Sequence, residues 1–92
     1  MKITFDAAKN KKNIGERGFG FECVADFDFA TANIQQDVRR EYPEPRFVAF
    51  GFLNNRLHAL CFTPTHNGIR VISFRKANDR EVKDYEQKTT AN

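Results

Sequence analysis

Apolar and polar residues follow two different rhythms along this chain, and the change falls near Pro45. Before it, Lys2-Ile3-Thr4-Phe5 alternates as a short strand. Asp6 is placed to cap a helix running through about Arg17, and Gly18 suits its C-terminal end. That helix is polar nearly all round, with Lys9, Lys11, Lys12 and Arg17 set against Ala7, Ala8 and Ile14. It should pack by a narrow stripe and show a basic face to solvent. From Phe19 to Phe29, the helical spacing of Phe21, Val24 and Ala25 predicts a second helix. Ala30 to Val38 reads as a short strand with Thr31, Asn33 and Gln35 on one face. The segment Arg39-Arg40-Glu41-Tyr42-Pro43-Glu44-Pro45 is a charged loop stiffened by its prolines.

After Pro45 come apolar runs of strand length: Arg46 to Leu53, Arg56 to Thr63 and Ile69 to Arg75. Asn54-Asn55 joins the first pair as a tight hairpin, because Asn tolerates the left-handed backbone such turns need. Pro64-Thr65-His66-Asn67-Gly68 makes the second turn, and Asn78-Asp79-Arg80-Glu81 is a capping box opening a last helix to about Lys88. The fold class is therefore α+β in a single domain over residues 1–88. N-terminal helices pack on a small antiparallel sheet, one helix follows, and residues 89–92 form a frayed tail. Both sheet faces are apolar, with Val48, Phe50 and Phe52 on one and Phe47 and Leu53 on the other. The N-terminal helices can cover one face. The last helix has only Val82 and Tyr85 as large apolar residues, which leaves part of the other face to a partner or to long Arg stems.

Composition sharpens this picture in a few places. A chain of 92 residues buries only roughly 60–65% of its unfolded surface, so large side chains must carry the core. Phe does so here, with 10 copies and no Trp. A net charge of +3 is a mild basic bias, compatible with a polyanionic partner without requiring one. Cys23 and Cys61 lie in apolar runs with no metal spacing and read as buried free thiols. No apolar run approaches the roughly 20 residues of a membrane span, and Asp6 and Lys9 interrupt any signal-peptide core. The expectation is a cytoplasmic protein with no membrane contact.

The residues able to do chemistry are a band of cations at strand ends: Arg46, Arg56, His58, Arg70, Arg75 and Lys76. The sequence holds no paired histidines, metal-ligand cluster, Gly-rich phosphate loop or nucleophile–base motif. If the second turn spans Pro64 to Asn67, His58 faces Ser73 and Arg56 faces Arg75. Those four then share a patch, with Arg70 on the opposite face. Arg70 lies inside the apolar run Gly68-Ile69-Arg70-Val71-Ile72, a costly place for a charge unless it is paired or serves a site. Glu44 is available to pair with one of these arginines or to act as a base.

The stretch Arg70-Val71-Ile72-Ser73-Phe74-Arg75-Lys76-Ala77-Asn78-Asp79-Arg80-Glu81 resembles the R-I-I-S-x-R-x-A-x-x-x-E signature of the BrnT family of ribonuclease toxins. Upstream, Phe5-Asp6-Ala7-Ala8-Lys9, Asn13, Gly18 and Phe21-Glu22 resemble that family's N-terminal pattern. Glu44-Pro45-Arg46 followed by Gly51 resembles its middle block, and Tyr85 a tyrosine after the final Glu. One departure stands out: Glu16-Arg17 occupies the place of a Lys-His pair before the glycine.

The resemblance implies a RelE-like fold, cleavage of RNA that blocks translation, and neutralisation by a BrnA-like ribbon-helix-helix antitoxin. The complex would be a heterotetramer that binds operator DNA through the antitoxin, and the toxin–antitoxin interface should be at least of standard size, about 800 Å² per partner. Cleavage without a metal needs a base for the 2′-OH, an acid for the leaving 5′-oxygen and cations for the charge on phosphorus. The expected assignment makes Arg46, Arg70 and Arg75 catalytic cations and His58, Ser73 and Lys76 substrate contacts, with no metal or cofactor. A non-catalytic nucleic-acid-binding module and a pure interaction domain stay open beside it.

Overall fold

The computed structural model describes residues 1–90. Strand β1 (Lys2–Phe5) leads into helix α1 (Ala7–Arg17). Asp6 caps α1 by accepting a hydrogen bond from the Lys9 amide at 3.0 Å. Gly18 closes it in the left-handed region at φ 82°, where its N–H reaches the Ile14 carbonyl. Then come a 3₁₀ segment (Phe21–Asp26) and strands β2 (Asn33–Gln36), β3 (Phe47–Leu53), β4 (Arg56–Pro64) and β5 (Gly68–Lys76). Helix α2 (Asp79–Thr90) closes the chain. It runs past the expected end at Lys88, and Thr89 donates to the Tyr85 carbonyl. The rest of the expected tail, Ala91 and Asn92, lies outside the described residues.

The second helix expected over Phe19–Phe29 is instead the short 3₁₀ segment. A period near three puts Phe21, Val24 and Phe27 in one line, and all three are buried against the sheet. The strands form one five-stranded sheet in the order β1-β5-β4-β3-β2. Neighbours from β2 to β5 are antiparallel, but β1 pairs with β5 in parallel. The sheet is thus mixed, where an antiparallel one was expected. Gly68 permits that edge pairing, because a Cβ there would lie 1.8 Å from the Lys2 carbonyl oxygen.

Asn54 and Asn55 both take positive φ, 49° and 65°, as a tight hairpin turn requires. Leu53 faces Arg56 and Gly51 faces His58, as the hairpin pattern predicts. The β4–β5 register departs from expectation. Thr63 pairs with Arg70 and Phe62 with Val71, but Cys61 pairs with Ser73, which leaves Ile72 unopposed. This bulge switches the parity of β5.

One face of the sheet carries the main core. Ala49, Leu53, Leu60, Phe62, Ile69, Val71 and Phe74 pack there with the buried residues of the 3₁₀ segment. On the other face α2 covers one end only, through Leu57, Ala77 and Tyr85 with Phe50 and Val82. The Tyr85 hydroxyl ties that end to the Thr31 carbonyl at 2.8 Å. α2 does not reach the remaining half, where Arg39, Arg46 and Arg75 border a trough over Val48, Ala59 and Cys61. Among the described residues no helix is long and apolar enough to cross a membrane.

His58 sits on the core face, 3% exposed, with its ring between Phe19 and Phe74. Its Nδ1 lies 2.8 Å from the Arg56 carbonyl oxygen. Burial holds the imidazole below its ordinary 6.5, the Lys76 and Arg56 charges add to that, and the Arg56 carbonyl opposes it. The unfolded chain therefore binds a proton at His58 more readily than the folded one. Stability should be full above about pH 6.5 and fall as pH drops through the folded value. Urea midpoints measured from pH 8 to pH 5 should decline less steeply for His58→Leu than for the parent. Equal slopes would remove His58 as the cause.

Candidate functional site

The open half of the sheet forms a trough of about 180 Å³ lined by Asp37, Arg39, Arg46, Val48, Ala59, Cys61, Ile72, Ser73 and Arg75. Its depth follows from side-chain size: Ala59, Cys61 and Ser73 are short, while arginines rise at its sides. A second hollow of about 190 Å³ shares Ile72 and Ser73 with it and continues to Lys9, Lys12, Asn13 and Arg17 of α1. The α1 side of this hollow is mixed in charge, since Glu16 lines it too and pairs with Lys12 at 3.8 Å, but basic residues outnumber acidic ones along β5.

Each arginine is held differently. Arg75 makes a fork to Glu81 at 2.7 and 2.9 Å. Glu81 also accepts from the Asn78 amide, and its own amide donates to the Asn78 side chain, so the expected capping box is formed. The shared hydrogen bonds raise the Arg75 pKa and lower that of Glu81. Arg75 is therefore anchored to the start of α2 as well as presented to the trough.

Arg39 makes a similar fork to Asp37, whose side chain is 2% exposed and also accepts from the Tyr42 hydroxyl. The guanidinium holds Asp37 well below the usual carboxylate range, despite its burial. Arg46 stands apart. Its guanidinium lies 4.2 Å from the centroid of the Tyr42 ring and has no hydrogen bond or ion pair among the described residues. Unlike Arg39 and Arg75, it has no carboxylate partner among the described residues.

The expected patch of Arg56, His58, Ser73 and Arg75 is not formed. The bulge at Ile72 puts Ser73 and Arg75 on the open face and sets His58 opposite Lys76 on the core face. The same bulge brings Arg70 to the side of Ser73 and Arg75, where the even register had excluded it. Arg70 pairs with Glu44 at 3.1 Å, both half-exposed, one of the two roles open to Glu44. It lies farther along β5, opposite Thr63, and does not line the trough. Of the expected site residues, Arg46, Ser73 and Arg75 come together, Arg70 shares their face, and His58 and Lys76 do not join them.

Sequence reasoning missed Asp37, Arg39, Tyr42, Lys9 and Cys61. The i, i+2 pair of opposite charges ahead of a proline-stiffened loop was the available signal for Asp37 and Arg39. Cys61 is a free thiol in the floor, and burial pushes its pKa up. Among the described residues no three His, Cys, Asp or Glu side chains are grouped to hold a metal ion.

An α+β sheet with an arginine-lined trough on one face offers a surface on which a polyanion can sit. The family model of the ribonuclease toxin BrnT, of type II toxin–antitoxin systems, matches residues 5–81, and the chain belongs to that family. No curated protein matches the chain. The family gives it RNA as target and an antitoxin as partner, and the observed α+β sheet is compatible with the RelE-like comparison.

Proposed function

We propose that this chain is a metal-independent endoribonuclease, cleaving RNA in the trough above Ser73 and so blocking translation. The observation that carries this is the convergence of Arg39, Arg46 and Arg75 on a trough floored by short side chains. In the reaction the RNA 2′-oxygen attacks phosphorus, its proton passes to a base, and the 5′-oxygen leaves with a proton. Negative charge builds on the phosphoryl oxygens between these events. Arginines suit that charge because their planar forks stay protonated and grip two oxygens at once.

Arg46 and Arg75 stabilise the phosphorane, and Ser73 contacts the phosphate from the floor. Arg70 holds RNA farther along the same face, and Lys76 attracts it from the strand end. His58 supports the wall from the core side. A BrnA-like ribbon-helix-helix antitoxin binds over the open face in a heterotetramer that represses its operator. The exposed Val38 and Phe52 on that face support such a partner.

A non-catalytic RNA-binding role is favoured by one observation: neither His58 nor His66 lines the trough, and Glu16-Arg17 replaces Lys-His. One experiment separates the two. Purified protein incubated with RNA should produce 5′-hydroxyl and 2′,3′-cyclic phosphate ends, undiminished by EDTA. Binding without cleavage would establish the non-catalytic role, and inhibition by EDTA would overturn the metal-independent mechanism.

A further inference from the structure

Across Arg46 the trough has a neighbour. The loop from β2 to β3 encloses a cleft of about 350 Å³, near the small end of the about 300–1,000 Å³ usual for ligand sites. Gln36, Arg40, Glu41, Tyr42, Glu44 and Arg46 line it, and Arg46 and Asp37 line the trough as well. We propose that this cleft is a nucleobase subsite that receives the base beside the phosphate held in the trough, with guanine the best fit. The proposal rests on the RNA reading given above.

Three features carry it. The first is a flat surface. Single-stranded RNA is recognised by stacking its bases on aromatic rings and guanidinium planes. The Tyr42–Arg46 pair offers both kinds at the boundary between cleft and trough. A phosphate on Arg46 and a base on the same pair are parts of one nucleotide.

The second feature is rigidity. The Tyr42 hydroxyl donates to Asp37, the Asp37 amide donates to the Arg46 carbonyl at 2.7 Å, and buried Thr63 donates to the Pro45 carbonyl at 3.0 Å. Pro43 and Pro45 stiffen the backbone between these ties. The cleft is formed before any base arrives, so little ordering remains to oppose binding.

The third is the edge chemistry. Glu41 makes no ion pair among the described residues, and Glu44 spends only Oε2 on Arg70. Ionised carboxylates accept hydrogen bonds and donate none. Guanine offers a ring N–H and an amino group side by side, which match the two oxygens of one carboxylate. Adenine and cytosine set an acceptor next to their amino group, and uracil flanks its single N–H with carbonyls. Glu41, with no ion pair among the described residues, also repels phosphate, so the loop separates base from backbone.

Two measurements on the full chain test this. Cleavage sites on a long unstructured RNA are mapped for the parent, Tyr42→Leu and the Glu41→Gln/Glu44→Gln double variant, each checked for folding by circular dichroism. Equilibrium binding of short oligoribonucleotides differing at one base is measured beside it, because it needs no cleavage. The parent should favour guanine next to the cut and in binding by about tenfold, with Tyr42→Leu losing about tenfold in affinity and most of that preference. The double variant should lose the guanine preference more than the affinity. Folded variants with the parent's preference, or a parent indifferent to the base in both measurements, would overturn the subsite. Guanine-selective binding without any cleavage would support the subsite and overturn only the catalytic reading.

Discussion

Arg46→Ala is expected to lower RNA cleavage by about 10²–10³-fold, the usual loss when one preorganised donor to a developing oxyanion is removed. In cells the same change should abolish growth arrest while the antitoxin still captures the protein. Arg46 makes this a clean test because, among the described residues, its guanidinium has no partner but the Tyr42 ring, so its loss leaves none of them unsatisfied. The unfolding midpoint should move little, as for other surface substitutions.

The other arginines of the trough cannot be removed so cleanly. Arg75→Ala should match the loss of activity, but it also frees Glu81 from its fork and loosens the start of α2, so the unfolding midpoint falls with it. Arg39→Ala leaves the Asp37 carboxylate buried without its cation, and the β2–β3 loop should loosen. Arg70→Ala should do less to cleavage than either, since Arg70 stands outside the trough and is shared with Glu44. Cleavage rates, thermal melts and growth curves on the four variants measure this directly. A folded Arg46→Ala protein as toxic as the parent would end the case for charge stabilisation at this site.

What was legible in the sequence was local. Asp6 and Gly18 bracket α1, Asn54-Asn55 makes the hairpin, and Asn78 with Glu81 starts α2, because each signal is satisfied within a few residues. That α2 reaches only part of the second face was legible too, since it carries few apolar residues; the choice between a partner and Arg stems over the rest was not. The parallel docking of β1 was not, because it depends on which edge is left after the hairpins have formed. Nor was the 3₁₀ segment, since Phe21, Val24 and Phe27 fit a period of three as well as a helical stripe.

The largest error came from one residue. With Ile72 unopposed, every side chain of β5 beyond it changes face relative to an even register. That single step separates His58 from Ser73 and Arg75 and joins Arg70 to them. Composition says nothing about such a bulge. The Asp37–Arg39–Tyr42–Arg46 network was hidden for a related reason: its partners meet because β2 pairs with β3, which sets Asp37 beside Arg46.

Phe74→Ala is expected to be the most destabilising single change in the molecule. Phe74 is fully buried at the centre of the core face, opposite Leu60, and its ring meets Phe19 at 5.5 Å, Phe27 at 5.9 Å and His58 at 5.2 Å between centroids. Removing a buried Phe ring costs about 3–5 kcal/mol in transfer and cavity terms. Domains of this size hold only about 5–15 kcal/mol in total, so the variant should lose a large share of its stability and melt well below the parent. Phe74→Leu should lose less, because the leucine fills part of the space. The effect reaches the site because Phe74 lies between Ser73 and Arg75 on β5, and their positions depend on that strand staying pinned to the core. Urea titrations of the parent and both variants give the values. A loss below about 1 kcal/mol for Phe74→Ala would mean that the surrounding rings close over the gap. An antitoxin that binds only the folded chain adds its binding energy to stability, so co-expression should recover Phe74→Ala in folded form and leave it unstable once the partner is removed.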